Sequence, residues 1–135
     1  MVNVNELMQE NQMINDLSAV LGYLIESEGI RSNQVFCELM QRFNKSVESH
    51  LSHEERSVYS KLLNHDDKQI HEVATQFMSN THELRKLMKD YSKKWCDAKA
   101  IEKDSEFVDS TREIFHLVNH RIDMENSKLF PAINA

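Results

Sequence analysis

Between Ser32 and Asn64 no glycine or proline interrupts the chain, and apolar residues return every three or four positions: Phe36, Met40, Phe43, Val47, Val58 and Leu62. At about 100° per residue they fall within one stripe. The run therefore reads as one long amphipathic helix, roughly 30 residues or about 45 Å in length. Two positions on the stripe are not apolar. His50 and Glu54 sit where leucines are expected, four residues apart and so on one face. An imidazole and a carboxylate turned toward a core are costly unless partnered. A metal ion is one partner that would justify them; a buried hydrogen-bonded pair is the other. His53 lies about 80° off the stripe and Glu55 further round, which makes both rim or solvent residues.

The rest of the chain repeats this pattern. There are 2 glycines and 1 proline in 135 residues, few places to turn, and no strand-type alternation. A first helix is expected from a cap at Asn3 or Asn5 to about Ser27, stopped by Gly29, with Glu6, Glu10, Met13, Ile14, Leu17, Leu21 and Leu24 on its stripe. The second begins after Ser32 or Asn33 and ends near Leu63. A turn at 64–67 leads to a third helix from about Asp67 to Trp95, whose stripe is Ile70, Val73, Phe77, Leu84, Met88, Tyr91 and Trp95. The charged stretch from Asp97 to Asp104 reads as a loop. Ser105 can cap a fourth helix that ends near Leu129, before Pro131, with Phe107, Thr111, Ile114, Val118, Ile122, Glu125 and Leu129 inward. Four amphipathic helices with short connections predict an all-α fold, an antiparallel up-down-up-down four-helix bundle, in one domain over residues 1–135.

The net charge of −6 argues against nucleic acid or an anionic membrane as a partner. No run of 18 or more apolar residues is present, and MVNVNELMQEN does not read as a signal peptide. A cytoplasmic location is therefore expected. Cys37 and Cys96, far apart and in no CxxC, are expected to be reduced thiols there.

A faint doubling links SHLSHEERSVYSKLL with NHRIDMENSKLFPAI: a histidine, a glutamate four or five residues on, then a hydrophobic and aromatic end. On this pattern the chain resembles the hemerythrin-like (HHE cation-binding) family along essentially its whole length. The resemblance implies an antiparallel four-helix bundle around non-heme iron, most often two ions. The ligands in that family are a histidine on the first helix, His-x-x-x-Glu on the second, one or two histidines on the third, and a histidine followed by Glu or Asp on the fourth, with the two carboxylates bridging. Here His50 and Glu54 match the second-helix motif, Glu125 followed by Leu129-Phe130-Pro131 matches the fourth, and His82 in THELRKLM matches the third. His120 lies five before Glu125, and Arg121 stands four before it. The first helix has Glu10 and Asn11 where the family has histidine, and Glu10 is the one on the stripe. Phase alone turns Glu10, His50, Glu54 and Glu125 inward. His82 and His120 lie about 140° away from their stripe or motif partners and would need a π-bulge to join them. His116, four before His120, shares that solvated side.

Two functions follow from these residues. In one, His50, Glu54, Glu125, His82, His120 and Glu10 hold non-heme iron that binds or senses a small diatomic ligand, oxygen or nitric oxide, or handles iron. In the other, the fold persists without metal, Arg121 pairs with Glu125, and the bundle serves as a regulatory or protein-interaction module with a protein partner. A ferritin-like oxidase would need two inward Glu-x-x-His motifs; only Glu113 to His116 has that spacing, off the stripe. No separate catalytic base or substrate pocket is legible, so nothing in the sequence marks an enzyme.

Overall fold

The structure, a computed structural model, describes residues 2–95 and 104–134. Among them α1 spans Val4–Leu24, a short α2 spans Glu28–Arg31, and α3 spans Gln34–Glu54. α3 runs on through a π turn, Glu55–Tyr59, into α4, Ser60–Leu63. α5 spans Lys68–Trp95 and α6 spans Asp104–Met124, the latter continuing through a second π turn, Glu125–Leu129, into α7, Phe130–Ile133. No strand occurs among the described residues. The long helices pack as a ring in the order α1, α3, α5, α6, so that α1 lies across the bundle from α5. With short connections between neighbours, this is an up-down four-helix bundle.

The ends follow from local chemistry. Asn3 Oδ1 accepts from the Glu6 amide at 3.1 Å and Asn33 Oδ1 from the Val35 amide at 2.9 Å, so both asparagines act as N-caps. The connection after α1 differs from expectation. α1 stops at Leu24, and Gly29 lies inside α2 instead of closing the first helix; no described residue has positive φ. Arg31 organises this connection. It makes a two-pronged ion pair with Asp104, at 2.8 and 2.7 Å, and donates to the Ile25 carbonyl at 3.1 Å, tying the α1–α3 corner to the start of α6. The fourth helical run passes Pro131, because the π turn places that proline in the first turn of α7, where its missing N–H needs no acceptor. Cys37 is disulfide-bonded, which corrects the expectation of a reduced thiol; Cys96 lies outside the described residues, as does most of the expected 97–104 loop.

The expected stripes of α3 and α6 are buried along their whole length. That of α1 is rotated. The structure buries Leu7, Asn11, Ile14, Ser18, Leu21 and Ile25, and leaves Glu6 and Met13 outside. α1 carries apolar residues on two sides, so periodicity alone could not select the inner one.

The core has two apolar parts. The larger is built around Phe36, Met40, Phe43, Leu84, Met88, Phe107, Ile114 and Phe115. Its aromatic rings meet edge to face, Phe43 with Phe115 at 5.3 Å and Phe36 with Phe107 at 5.9 Å. The smaller contains Leu7, Val58, Leu62, Ile70, Phe77, Leu129, Phe130 and Ile133. Phe43, fully buried in the larger part, is expected to cost about 3–5 kcal/mol on substitution by alanine. Tyr23→Ala, at an 80 % exposed position, is expected to stay within about 0.5 kcal/mol of wild type. Urea unfolding followed by circular dichroism measures both; equal effects would contradict the assigned burial.

Candidate metal centre

Among the described residues eight buried polar or charged side chains interrupt the apolar interior, and five of them meet in one layer: Asn11, His50, Glu54, Arg121 and Glu125. Their placement follows from spacing. His50 and Glu54 are four apart on α3, and Arg121 and Glu125 are four apart on α6, so each helix presents a cation and a carboxylate on consecutive turns. The two pairs cross-link. His50 Nε2 lies 2.8 Å from Glu54 Oε1 and 2.8 Å from Glu125 Oε1. Arg121 Nη2 donates to Glu54 Oε2 at 2.7 Å, and its Nε donates to Glu125 Oε2 at 2.7 Å.

Arg121 is only 4 % exposed, and every N–H of its guanidinium has an acceptor. Besides the two carboxylates, Nη2 donates to the Tyr59 hydroxyl at 2.8 Å, and Nη1 to the Phe77 carbonyl at 3.1 Å and Asn80 Oδ1 at 2.8 Å. The Phe77 ring lies 4.8 Å from the guanidinium carbon. Tyr59 is in turn 2.8 Å from Thr81 Oγ1. A planar, permanently charged fork suits this multiple recognition in a way lysine would not.

A second set of bonds leads outward. His50 Nδ1 is 2.7 Å from Glu10 Oε1, and His53 Nδ1 is 2.8 Å from Glu10 Oε2. Asn11 donates to Glu125 Oε1 at 2.8 Å. Glu6, Glu10 and His53 form a loose group at the rim.

Charge in the layer is set by these partners. Burial works against the His50 cation, but hydrogen bonds to Glu125 and Glu54 outweigh it and push its pKa up to about 10. Burial raises the Glu54 carboxyl, His50 pulls it down, and the neighbouring Glu125 charge pushes it up again, leaving it above the ordinary value. Burial works against the Glu125 carboxylate too; hydrogen bonds from His50 and Glu54 and the charge of Arg121 reverse that and hold it well below the ordinary range. His50 has a single Nε2 hydrogen. Its direction favours Glu125, which leaves Glu54 Oε1 near the nitrogen but without a hydrogen-bond donor.

Of the residues expected to hold metal, the structure brings together His50, Glu54 and Glu125, whose ligand atoms lie within 4.8 Å of one another. Glu10 joins them from the half-buried rim through His50. His82 and His120 are exposed and stand outside the cluster. The second π turn begins at Glu125, after His120, so it does not rephase that histidine, and α5 carries no π turn near His82. The trio has the capacity for one ion, and the Oε2 atoms of both glutamates accept hydrogen bonds from Arg121. Sequence reasoning did not find Tyr59, Asn80 or Thr81. For Tyr59 a signal existed, since it follows Glu54 by five residues just as Phe130 follows Glu125.

The sign of the pH effect follows from His50. A histidine with a folded pKa of about 10 against an ordinary 6.5 stabilises the fold fully below about pH 6.5, and that contribution is lost as pH rises through about 10. A raised Glu54 works in the same direction, since ionising it disfavours the folded state. The urea midpoint of metal-free protein is therefore expected to fall steadily between about pH 6 and pH 10. A flat profile would mean that His50 is neutral in the fold.

The family model of the hemerythrin HHE cation-binding domain matches residues 2–133. No curated protein and no solved structure matches the chain. With a match over nearly its whole length, an up-down bundle, and His50 and Glu54 paired with Glu125 at its centre, the chain belongs to the hemerythrin HHE cation-binding family.

Proposed function

We propose that this protein is a hemerythrin-type bundle in which side-chain charges replace the metal pair, and that it works as a regulatory or protein-interaction module. One observation carries the reading: the Arg121 guanidinium lies between Glu54 and Glu125 with all five N–H groups engaged. Two buried cations, His50 and Arg121, face two buried carboxylates, with Glu10 at the rim. Iron added to this layer would have to displace charges that are already compensated.

A second reading is favoured by two oxygens of this layer that are left without donors, Asn11 Oδ1 and Glu54 Oε1. A single cation held by His50, Glu54 and Glu125 would give the Glu54 oxygen a partner, and iron there would offer a position for oxygen or nitric oxide. Elemental analysis of protein purified without chelator, under reducing and anaerobic conditions, separates the readings. The proposal expects iron well below one equivalent per chain and no oxo-iron absorption. One equivalent, lost together with any absorption band in His50→Ala, would establish the single-ion reading instead.

Arg121→Ala removes the shared partner of two fully buried carboxylates. It is expected to destabilise the metal-free protein by about 3–5 kcal/mol, read from urea unfolding at neutral pH. A loss below about 1 kcal/mol would show that the guanidinium is not what balances the layer.

A further inference from the structure

Two surfaces away from the buried layer have opposite charge and the same apolar character. The first is the outer side of α1. Met13 and Val20 are seven residues apart, within about 20° of each other around the helix, and Asp16 and Tyr23 run beside them. Met13 is 71 %, Val20 52 % and Tyr23 80 % exposed. This is the second apolar side of α1, and nothing in the bundle covers it. Of the acids on α1, Glu10 is engaged by His50 and His53, while Glu6 and Asp16 are exposed; residues 1–30 contain no lysine or arginine to offset them.

The second surface is a groove of about 800 Å³ between α3 and α5. Leu39 and Met88 contribute apolar surface to it, and Arg42, Lys45 and Lys89 stand along it. These three cations form no ion pair with the described residues. Of the two acids that line it, Glu48 is taken up by Arg85 at 2.8 Å and only Glu38 remains. The groove is thus net basic on a chain whose net charge is −6.

We infer that the outer side of α1 of one molecule docks in the α3–α5 groove of a second copy. The inference deepens the interaction-module reading and rests on it. An acidic helix with an apolar stripe is what a basic groove with apolar surface recognises, and α1 is such a helix. Pairing α1 with α1 would instead set acid against acid. Because α1 and α5 lie on opposite sides of the ring, the contact is head to tail and generates rings or short chains, not an isologous dimer. A 21-residue helix spans about 31 Å and covers at most a standard interface of about 800 Å² per partner. Association is therefore expected to be moderate and weakened by salt.

Sedimentation velocity of the full chain, from about 1 to about 300 µM at low and high salt, tests this. Wild type is expected to associate as concentration rises and to dissociate in salt. Asp16→Lys with Tyr23→Lys alters one surface, and Arg42→Glu with Lys89→Glu the other. Each double variant alone is expected to bind itself at least about tenfold more weakly, with its helical circular dichroism unchanged. Mixing the two is expected to restore association, because the intact α1 of one then meets the intact groove of the other. A wild type that stays monomeric throughout overturns the inference. So does association that survives in both variants. Iron measured on the same preparations keeps the two readings apart: a metal-free monomer refutes docking alone, and an iron-loaded oligomer refutes the metal-free reading alone.

Discussion

The guanidinium of Arg121, held between Glu54 and Glu125, is the interaction on which the interior depends. A charge this deeply buried is tolerable only if its hydrogens find acceptors and its field finds opposite charge. Both conditions are met, and the acceptors come from three parts of the bundle: α6 and its π turn through Glu125, α3 and its π turn through Glu54 and Tyr59, and α5 through Phe77 and Asn80. The layer therefore sets register as well as charge. Sliding any of these helices by one turn, about 5.4 Å, would leave several buried polar groups unpaired.

The apolar parts on either side explain why the layer can exist at all. They surround it and keep water away, so that its hydrogen bonds act in a medium less polarisable than the solvent. The π turns contribute a second device. The first follows a buried glutamate, Glu54, the second begins at one, Glu125, and each supplies an extra residue that turns two adjacent side chains inward, Val58 with Tyr59 and Leu129 with Phe130. Tyr59 uses that displacement to reach Arg121. The two helices are thus local copies of one design, with histidine in one and arginine in the other at the position four before the glutamate.

Much of this was legible in the residues. Phe36 to Leu62 and Phe107 to Leu129 keep a clean 3.6-residue period over long stretches, so helix identity and inner face were fixed by hydrophobicity alone. His50, Glu54 and Glu125 stood out because polar groups interrupted that period, and Arg121 because it stands one turn before Glu125. What stayed hidden has specific causes. Asn11 was masked by the two apolar sides of α1. Asn80 and the Phe77 carbonyl enter from α5 with no sequence relation to their partner. His82 and His120 match the family by resemblance, but their phase puts them in solvent, and phase proved the better guide to direction.

Glu10 gives the buried layer a property that static charge balance does not describe. It is half-exposed, and one of its oxygens lies 2.7 Å from His50 Nδ1, while the opposite ring nitrogen faces Glu54 and Glu125. A continuous hydrogen-bonded path therefore runs from solvent through a carboxylate and an imidazole to the centre of the bundle. The centre of the bundle is thus closed off by its apolar neighbours yet joined to the surface by hydrogen bonds, with no helix having to move aside to make that link.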